Sequence, residues 1–171
     1  MSAPPAIVYR RAWLGDALPP RRAAALGRVE LAVVHHTGLA ADARAIHHLH
    51  QQEQGWDDIG YNLLVDAHGR VFEGRAGGLE RPVVGAHTLG WSARSTGIAV
   101  LGDHSREPLA PAGLDALLAV LRWKLGLHGL EVSARTVRMH CDLAATACPG
   151  RALVQQLAAL LHSDPSPQRS R

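Results

Sequence analysis

The sequence predicts an α/β or α+β fold built around a single sheet, and three observations predict it. Short apolar runs bounded by turn residues, at 31–36 and 96–101, read as buried strands. The stretch 112–127 carries Leu114, Leu117, Leu118, Leu121 and Leu125 at helical spacing. Strand-like and helix-like segments mix along 171 residues with no internal repeat and no long linker, so one domain accounts for the chain. That domain is expected to span residues 1–162, with 163–171 as a frayed, disordered tail.

The elements follow in order. The first thirty residues hold Pro4-Pro5, Pro19-Pro20 and the pairs Arg10-Arg11 and Arg21-Arg22, and read as loop with solvated arginines. Leu31 to His36 is a strand stopped by Thr37-Gly38. Asp42 caps a helix through Ala45, Ile46 and Leu49 to about Gln54, where Gly55 ends it. His47 and His50 share a face of that helix, which is expected to be solvated. Ile59–Asp66 and Arg70–Glu73 flank Ala67-His68-Gly69 as a hairpin, followed by a Gly-rich loop at 74–78. On the leucine helix of 112–127, Trp123 is assigned to the core. A strand over 136–139 leads into His140, and Pro149 opens a last helix through Leu153, Leu157, Leu160 and Leu161.

Composition narrows the function. No apolar run approaches the ~18 residues a bilayer span requires. The 18 Lys and Arg against 15 Asp and Glu are spread along the chain and form no nucleic-acid face. Two cysteines, Cys141 and Cys148, exclude a disulfide scaffold. The opening Met1-Ser2-Ala3-Pro4-Pro5-Ala6 lacks a charged segment followed by an apolar one, so no cleavable secretory leader is expected. The 11 histidines are the outlier, and with two cysteines they direct attention to a metal.

Two clusters carry that chemistry. His35-His36 closes a strand whose side chains alternate, so one ring faces a site and the other faces away; spacing does not say which. The second cluster runs from His140 to Cys148-Pro149-Gly150. Zinc accepts neutral imidazole and thiolate, and three protein ligands leave a fourth position open. A helix starting at Pro149 would favour a thiolate at Cys148. A Cys141–Cys148 disulfide closing a small loop is the competing reading.

Several blocks occur in a characteristic order: Val33-Val34-His35-His36-Thr37-Gly38, Gly55-Trp56-Asp57-Asp58-Ile59-Gly60-Tyr61-Asn62, Phe72-Glu73-Gly74-Arg75, Gly85-Ala86-His87, Thr96 to Asp103, and His140-x7-Cys148-Pro149-Gly150. Together they resemble the type-2 N-acetylmuramoyl-L-alanine amidases, the family that includes peptidoglycan recognition proteins and small phage lysins. The resemblance covers about residues 7 to 162. It implies an α/β fold with a central mixed β-sheet flanked by α-helices and a zinc ion at a substrate groove. By position, the metal ligands would be His35, His140 and Cys148, and the catalytic residues Tyr61 and Thr146. His87 matches a groove histidine, and Trp56, Arg75 and Trp91 join it as expected substrate contacts.

The implied reaction is hydrolysis of the amide between N-acetylmuramic acid and L-alanine in peptidoglycan or a muropeptide, with Zn2+ as cofactor. No His-Glu-x-x-His motif is present, so the general base of zinc proteases has no counterpart; the Tyr61 phenol is expected either to orient the attacking water or to donate to the developing oxyanion, with the Thr146 hydroxyl as a second donor. The alternative is a non-catalytic recognition module of the same fold. Relatives of that kind typically lose a ligand, often the cysteine that Cys148 matches here. The chain departs from the family pattern at Ala76 to Pro82, where many recognition proteins place Gly-Trp. A monomer is expected, without nucleic acid or membrane span. It would be made in the cytoplasm and act on the wall after release, or on imported muropeptides.

Overall fold

A computed structural model describes residues 2–15 and 19–163. The elements run β1 (Ile7–Val8), α1 (Arg10–Trp13), β2 (Leu31–His36), α2 (Ala43–His48), β3 (Leu63–Val65), β4 (Val71–Glu73), β5 (Ser95–Val100), α3 (Pro111–Gly126), β6 (Val137–Met139) and α4 (Arg151–Ser163). The six strands form one sheet in the order β1-β4-β3-β5-β2-β6. β3 and β4 pair antiparallel across the turn at Ala67–Gly69, and the remaining neighbours pair parallel. The sheet is therefore mixed and flanked by helices, as expected.

Register divides the sheet into two chemically different faces. Ala32, Val34, Leu63, Val65, Ile98 and Val100 point to one side and pack against Leu117, Val120 and Leu121 of α3 and Leu153 and Leu157 of α4. Leu64 and Phe72 point to the other, where Ala43 and Ile46 of α2 and Ile59 meet them. His35 is level with Ala99 and Leu64, so it belongs to this second face.

Several expectations are refined. Asp42 does cap α2, its side chain accepting the Ala45 N–H at 2.8 Å, and the helix continues as a π-turn over Leu49–Glu53. Gly55 ends it at φ +71°, a conformation other residues rarely take. The first thirty residues are not all loop: β1 and α1 lie there, too short to show a period. The α1 backbone N–H of Arg10 bonds Glu73 Oε2, and Trp13 Nε1 donates to Glu73 O. Arg10 is not solvated. Its guanidinium pairs with the buried carboxylate of Asp58 at 3.0 Å. Arg11, Arg21 and Arg22 are exposed as expected, and Trp123 is buried in the α3–α4 core. The last helix begins at Arg151, two residues beyond Pro149, which follows a cis peptide bond from Cys148. Gly150 has φ +92°, and a Cβ there would sit 2.4 Å from the His104 carbonyl carbon. Of the expected tail at 163–171, Ser163 is the last residue of α4, and 164–171 lie outside the described residues.

Candidate metal centre and groove

Three chain segments converge at the carboxyl end of the parallel strands, where α/β sheets commonly place ligands. His35 ends β2, His140 follows β6 directly in a short 3₁₀ turn, and Cys148 sits in the loop before α4. One donor atom from each lies within 4.8 Å of the others. His35 Nδ1 is 3.7 Å from Cys148 Sγ. Sulfur and nitrogen ligands on one tetrahedral zinc ion stand roughly 3.6 Å apart, so the donor set fits zinc in kind and the His35–Cys148 pair fits it in spacing. The strand alternation is also resolved. His36 turns to the opposite face, where its Nδ1 accepts the His104 N–H at 3.1 Å, while its backbone N–H points back to Cys148 Sγ at 3.4 Å. Both cysteines are free thiols, which removes the disulfide reading.

The electrostatics suit cation capture. Burial lowers the His35 pKa well below the ordinary imidazole value, and the neighbouring His87, His140 and His36 lower it further. Burial also lowers His140. Both rings therefore stay neutral with lone pairs to offer. Burial pushes the Cys148 thiol up to about 11, against the His36 N–H, which favours the thiolate. A cation at this point would reverse that balance, since coordination deprotonates a thiol outright. The helix-terminus argument for the thiolate does not hold, because α4 starts three residues after Cys148.

Tyr61 and Thr146 line the same cavity as the three ligands, a space of about 380 Å³. The Tyr61 ring centroid is 5.3 Å from that of His35. Burial and the Cys148 sulfur raise its pKa to about 12, so it is a neutral phenol at any physiological pH. Thr146 is exposed, and its hydroxyl accepts the Cys148 N–H at 3.2 Å. Trp56 and His87 line this cavity and a second, more apolar one of about 700 Å³ beside it. The structure does not bring Arg75 and Trp91 to either wall. Arg75 is buried and donates to Ile59 O at 3.1 Å, and the Arg94 guanidinium lies over Trp91 at 5.0 Å.

Sequence reasoning missed the interior of α2. Its histidine face is buried rather than solvated, because it packs onto the sheet. His47 lies between Trp13 and Asp58, with Nε2 3.0 Å from Asp58 Oδ1. Asp58 also accepts the backbone N–H groups of Ile59 and Ala76, and pairs with Arg10. Desolvation raises its pKa, but the His47 bond, the Ala76 N–H and Arg10 outweigh that and hold it below the usual carboxylate value. His50 accepts the Gly60 N–H on Nδ1 at 3.1 Å, and its ring packs against Trp56 and Tyr61. Burial lowers its pKa to about 4, so it lines the cavity as a neutral ring. No sequence signal marks this pairing, because Asp58 and Arg10 lie 48 positions apart and meet only in the fold.

A protein-family model described as N-acetylmuramoyl-L-alanine amidase matches residues 25–151. The chain is 31% identical over 153 residues to peptidoglycan-recognition protein SC2 of Drosophila simulans, covering 84% of this chain and 80% of that protein. It is 36% identical over 138 residues to an N-acetylmuramoyl-L-alanine amidase of Homo sapiens, covering 78% of this chain but 23% of that longer protein. Peptidoglycan recognition protein LE, solved in complex with tracheal cytotoxin, superposes with a TM-score of 0.78 at 28% identity, covering 90% of this chain and 92% of that one.

Proposed function

The chain belongs to the N-acetylmuramoyl-L-alanine amidase family, and from that premise we propose that it is a zinc-dependent amidase. Its reaction is hydrolysis of the bond between N-acetylmuramic acid and L-alanine in peptidoglycan, releasing the lactyl carboxylic acid and the free amine. One observation carries this reading: the His35, His140 and Cys148 donors converge within 4.8 Å in a cavity that also holds Tyr61. Zinc bound there would polarise the scissile carbonyl and lower the pKa of an adjacent water toward ~7.

The chain's own residues supply the rest. Tyr61, kept as a phenol by burial, donates its O–H to the carbonyl oxygen as negative charge gathers on it. The neutral His50 ring holds Tyr61 and Trp56 in place from beneath. Thr146 fixes the Cys148 backbone and presents its hydroxyl to the cavity. Trp56 offers an aromatic wall of the kind on which a sugar ring stacks. Arg75 and Trp91, which line neither cavity, stay substrate contacts by resemblance alone.

The second reading, a recognition module that binds without cutting, is favoured by the recognition-protein names among the relatives. Purified sacculi separate the two. Incubation with enzyme as isolated, chelator-stripped and zinc-restored is expected to expose L-alanine amino groups, lose them on stripping and regain them with zinc. Binding with no new amines at full zinc occupancy, on sacculi and on soluble muropeptides, would establish the recognition module instead.

A further inference from the structure

His35 has two ring nitrogens, and they face different neighbours. Nδ1 looks toward Cys148 Sγ at 3.7 Å, on the side of the metal cluster. Nε2 looks the other way, to His87 Nδ1 at 3.2 Å and Thr88 Oγ1 at 3.4 Å. A neutral imidazole that gives the Nδ1 lone pair to a metal carries its proton on Nε2. His35 is 1% exposed, so no bulk water receives that proton. An acceptor must be built in, and metal-bound histidines ordinarily find one in a carboxylate, carbonyl or water. None of the ring hydrogen bonds of His35 among the described residues goes to a carboxylate or a carbonyl; they go to His87, Thr88 and Cys148.

We infer that His87 is the positioning residue for this ligand: its Nδ1 lone pair accepts the His35 Nε2 proton and fixes the tautomer and the ring plane from which His35 reaches the metal. The inference rests on the zinc reading above and deepens it. Thr88 Oγ1 lies 3.0 Å from His87 Nδ1; with its O–H turned toward His87 it either shares that acceptor or relays the His35 proton bond to it. In both arrangements the donors end on His87 Nδ1. The proton of His87 then sits on Nε2, which is buried and has no hydrogen-bond partner among the described residues. His87 thus meets His35 and Thr88 through Nδ1 alone.

The surrounding backbone is shaped to hold that ring. A Cβ at Gly97 would stand 2.5 Å from His87 Cγ and Cδ2, and one at Gly85 would stand 2.7 Å from Cδ2. The ring therefore lies flat on bare strand, in space that only glycine leaves. Ser92 Oγ accepts the His87 backbone N–H at 3.2 Å and anchors the loop end. His35 and His87 meet edge to face, with centroids 5.1 Å apart and planes at 78°.

The test is zinc affinity of the metal-stripped full chain, measured by competition with a chromophoric chelator and needing no substrate. His87→Phe keeps the ring volume and removes the acceptor; His87→Asn loses volume and places an oxygen near the Nδ1 position. An acceptor role predicts a ~10–100-fold weaker zinc affinity for H87F and a value within about threefold of the parent for H87N. Full affinity in H87F, or equal loss in both variants, overturns the inference, because ring packing or ring identity would then be what matters. Gly97→Ala supports the pair if H87F fails to fold: it keeps both nitrogens, pushes the ring off the strand, and is expected to weaken zinc as well. Unchanged affinity in folded G97A, with its ring displaced, overturns the inference. If the parent chain itself binds no zinc, the zinc reading fails, a separate outcome seen before any variant is made.

Discussion

The two faces of the sheet share the same strands and meet opposite demands. On the α3–α4 side the inward residues of β2, β3 and β5 are aliphatic apart from Thr96 and the strand-end His36, and the helices answer with Leu117, Leu121, Leu153 and Leu157. Few groups there need a partner, the Thr96 hydroxyl and the Lys124 ammonium among them, so packing does most of the holding. On the α2 side the aliphatic cluster is small, and His35, His47, His50, Asp58 and His87 occupy the remaining interior. Each of these polar groups needs a named neighbour. The first face stabilises by removing apolar area from water. The second spends part of its interior on groups that hold a site, and depends on the first for stability.

Substitutions that separate stability from site chemistry break the comparison most sharply. Cys148→Ser is expected to abolish zinc uptake and hydrolysis of sacculi while leaving the metal-free melting temperature close to the parent value. Parallel loss of folding would show that the site face bears more of the stability than its small cluster indicates. Asp58→Ala removes the carboxylate under Arg10 and His47 and leaves the partly buried Arg10 guanidinium without its partner, a change for which the fully buried case, ~3–5 kcal/mol, is the upper bound. Because the folded Asp58 pKa lies below the unfolded value, its stabilisation is complete above roughly pH 4 and is lost as pH falls through the folded pKa. Urea melts of parent and D58A should therefore converge as pH drops below that point. A constant gap would mean the effect is packing and not charge.

Leu157→Ala is the counterpart on the dry face. Leu157 is fully buried, and truncation there is expected to cost ~2–5 kcal/mol. Zinc affinity of the protein that remains folded should not move. A change in affinity would mean that α4 transmits strain to Cys148, three residues ahead of its first turn.

The dry face was legible in the sequence because its evidence is periodic. Leu114 to Leu125 mark α3 without ambiguity, and Leu31–Val34 and Thr96–Leu101 read as buried strands. The ordered motifs also brought His35, His140, Cys148 and Tyr61 to attention, and those side chains meet in one cavity. What stayed hidden was pairing across long sequence separations. His47 and His50 carry no mark that says buried; burial comes from Asp58 and from the N–H of Gly60, which no helical period reports. Arg10 reads as surface until Asp58 and Gly74 O are seen around it. β1 has two residues, too few for alternation to register.

The smallest effect tests how the two faces are joined. Asp42 caps α2 from an exposed position, 2.8 Å from the Ala45 N–H, and touches no residue of the site. Losing such a cap costs about 1 kcal/mol. If the site face were a rigid extension of the sheet, Asp42→Ala would lower the melting temperature slightly and change nothing else. Yet α2 and its π-turn carry His47 and His50, and His50 is what Trp56 and Tyr61 rest against. Fraying at the first turn is therefore expected to loosen the Tyr61 wall before it loosens the zinc ligands, which come from β2, β6 and the loop before α4. D42A should then lower kcat on a soluble muropeptide by a few-fold, on the order of the same 1 kcal/mol, with zinc affinity unchanged. Equal losses in both would place α2 and the ligand loops in one cooperative unit.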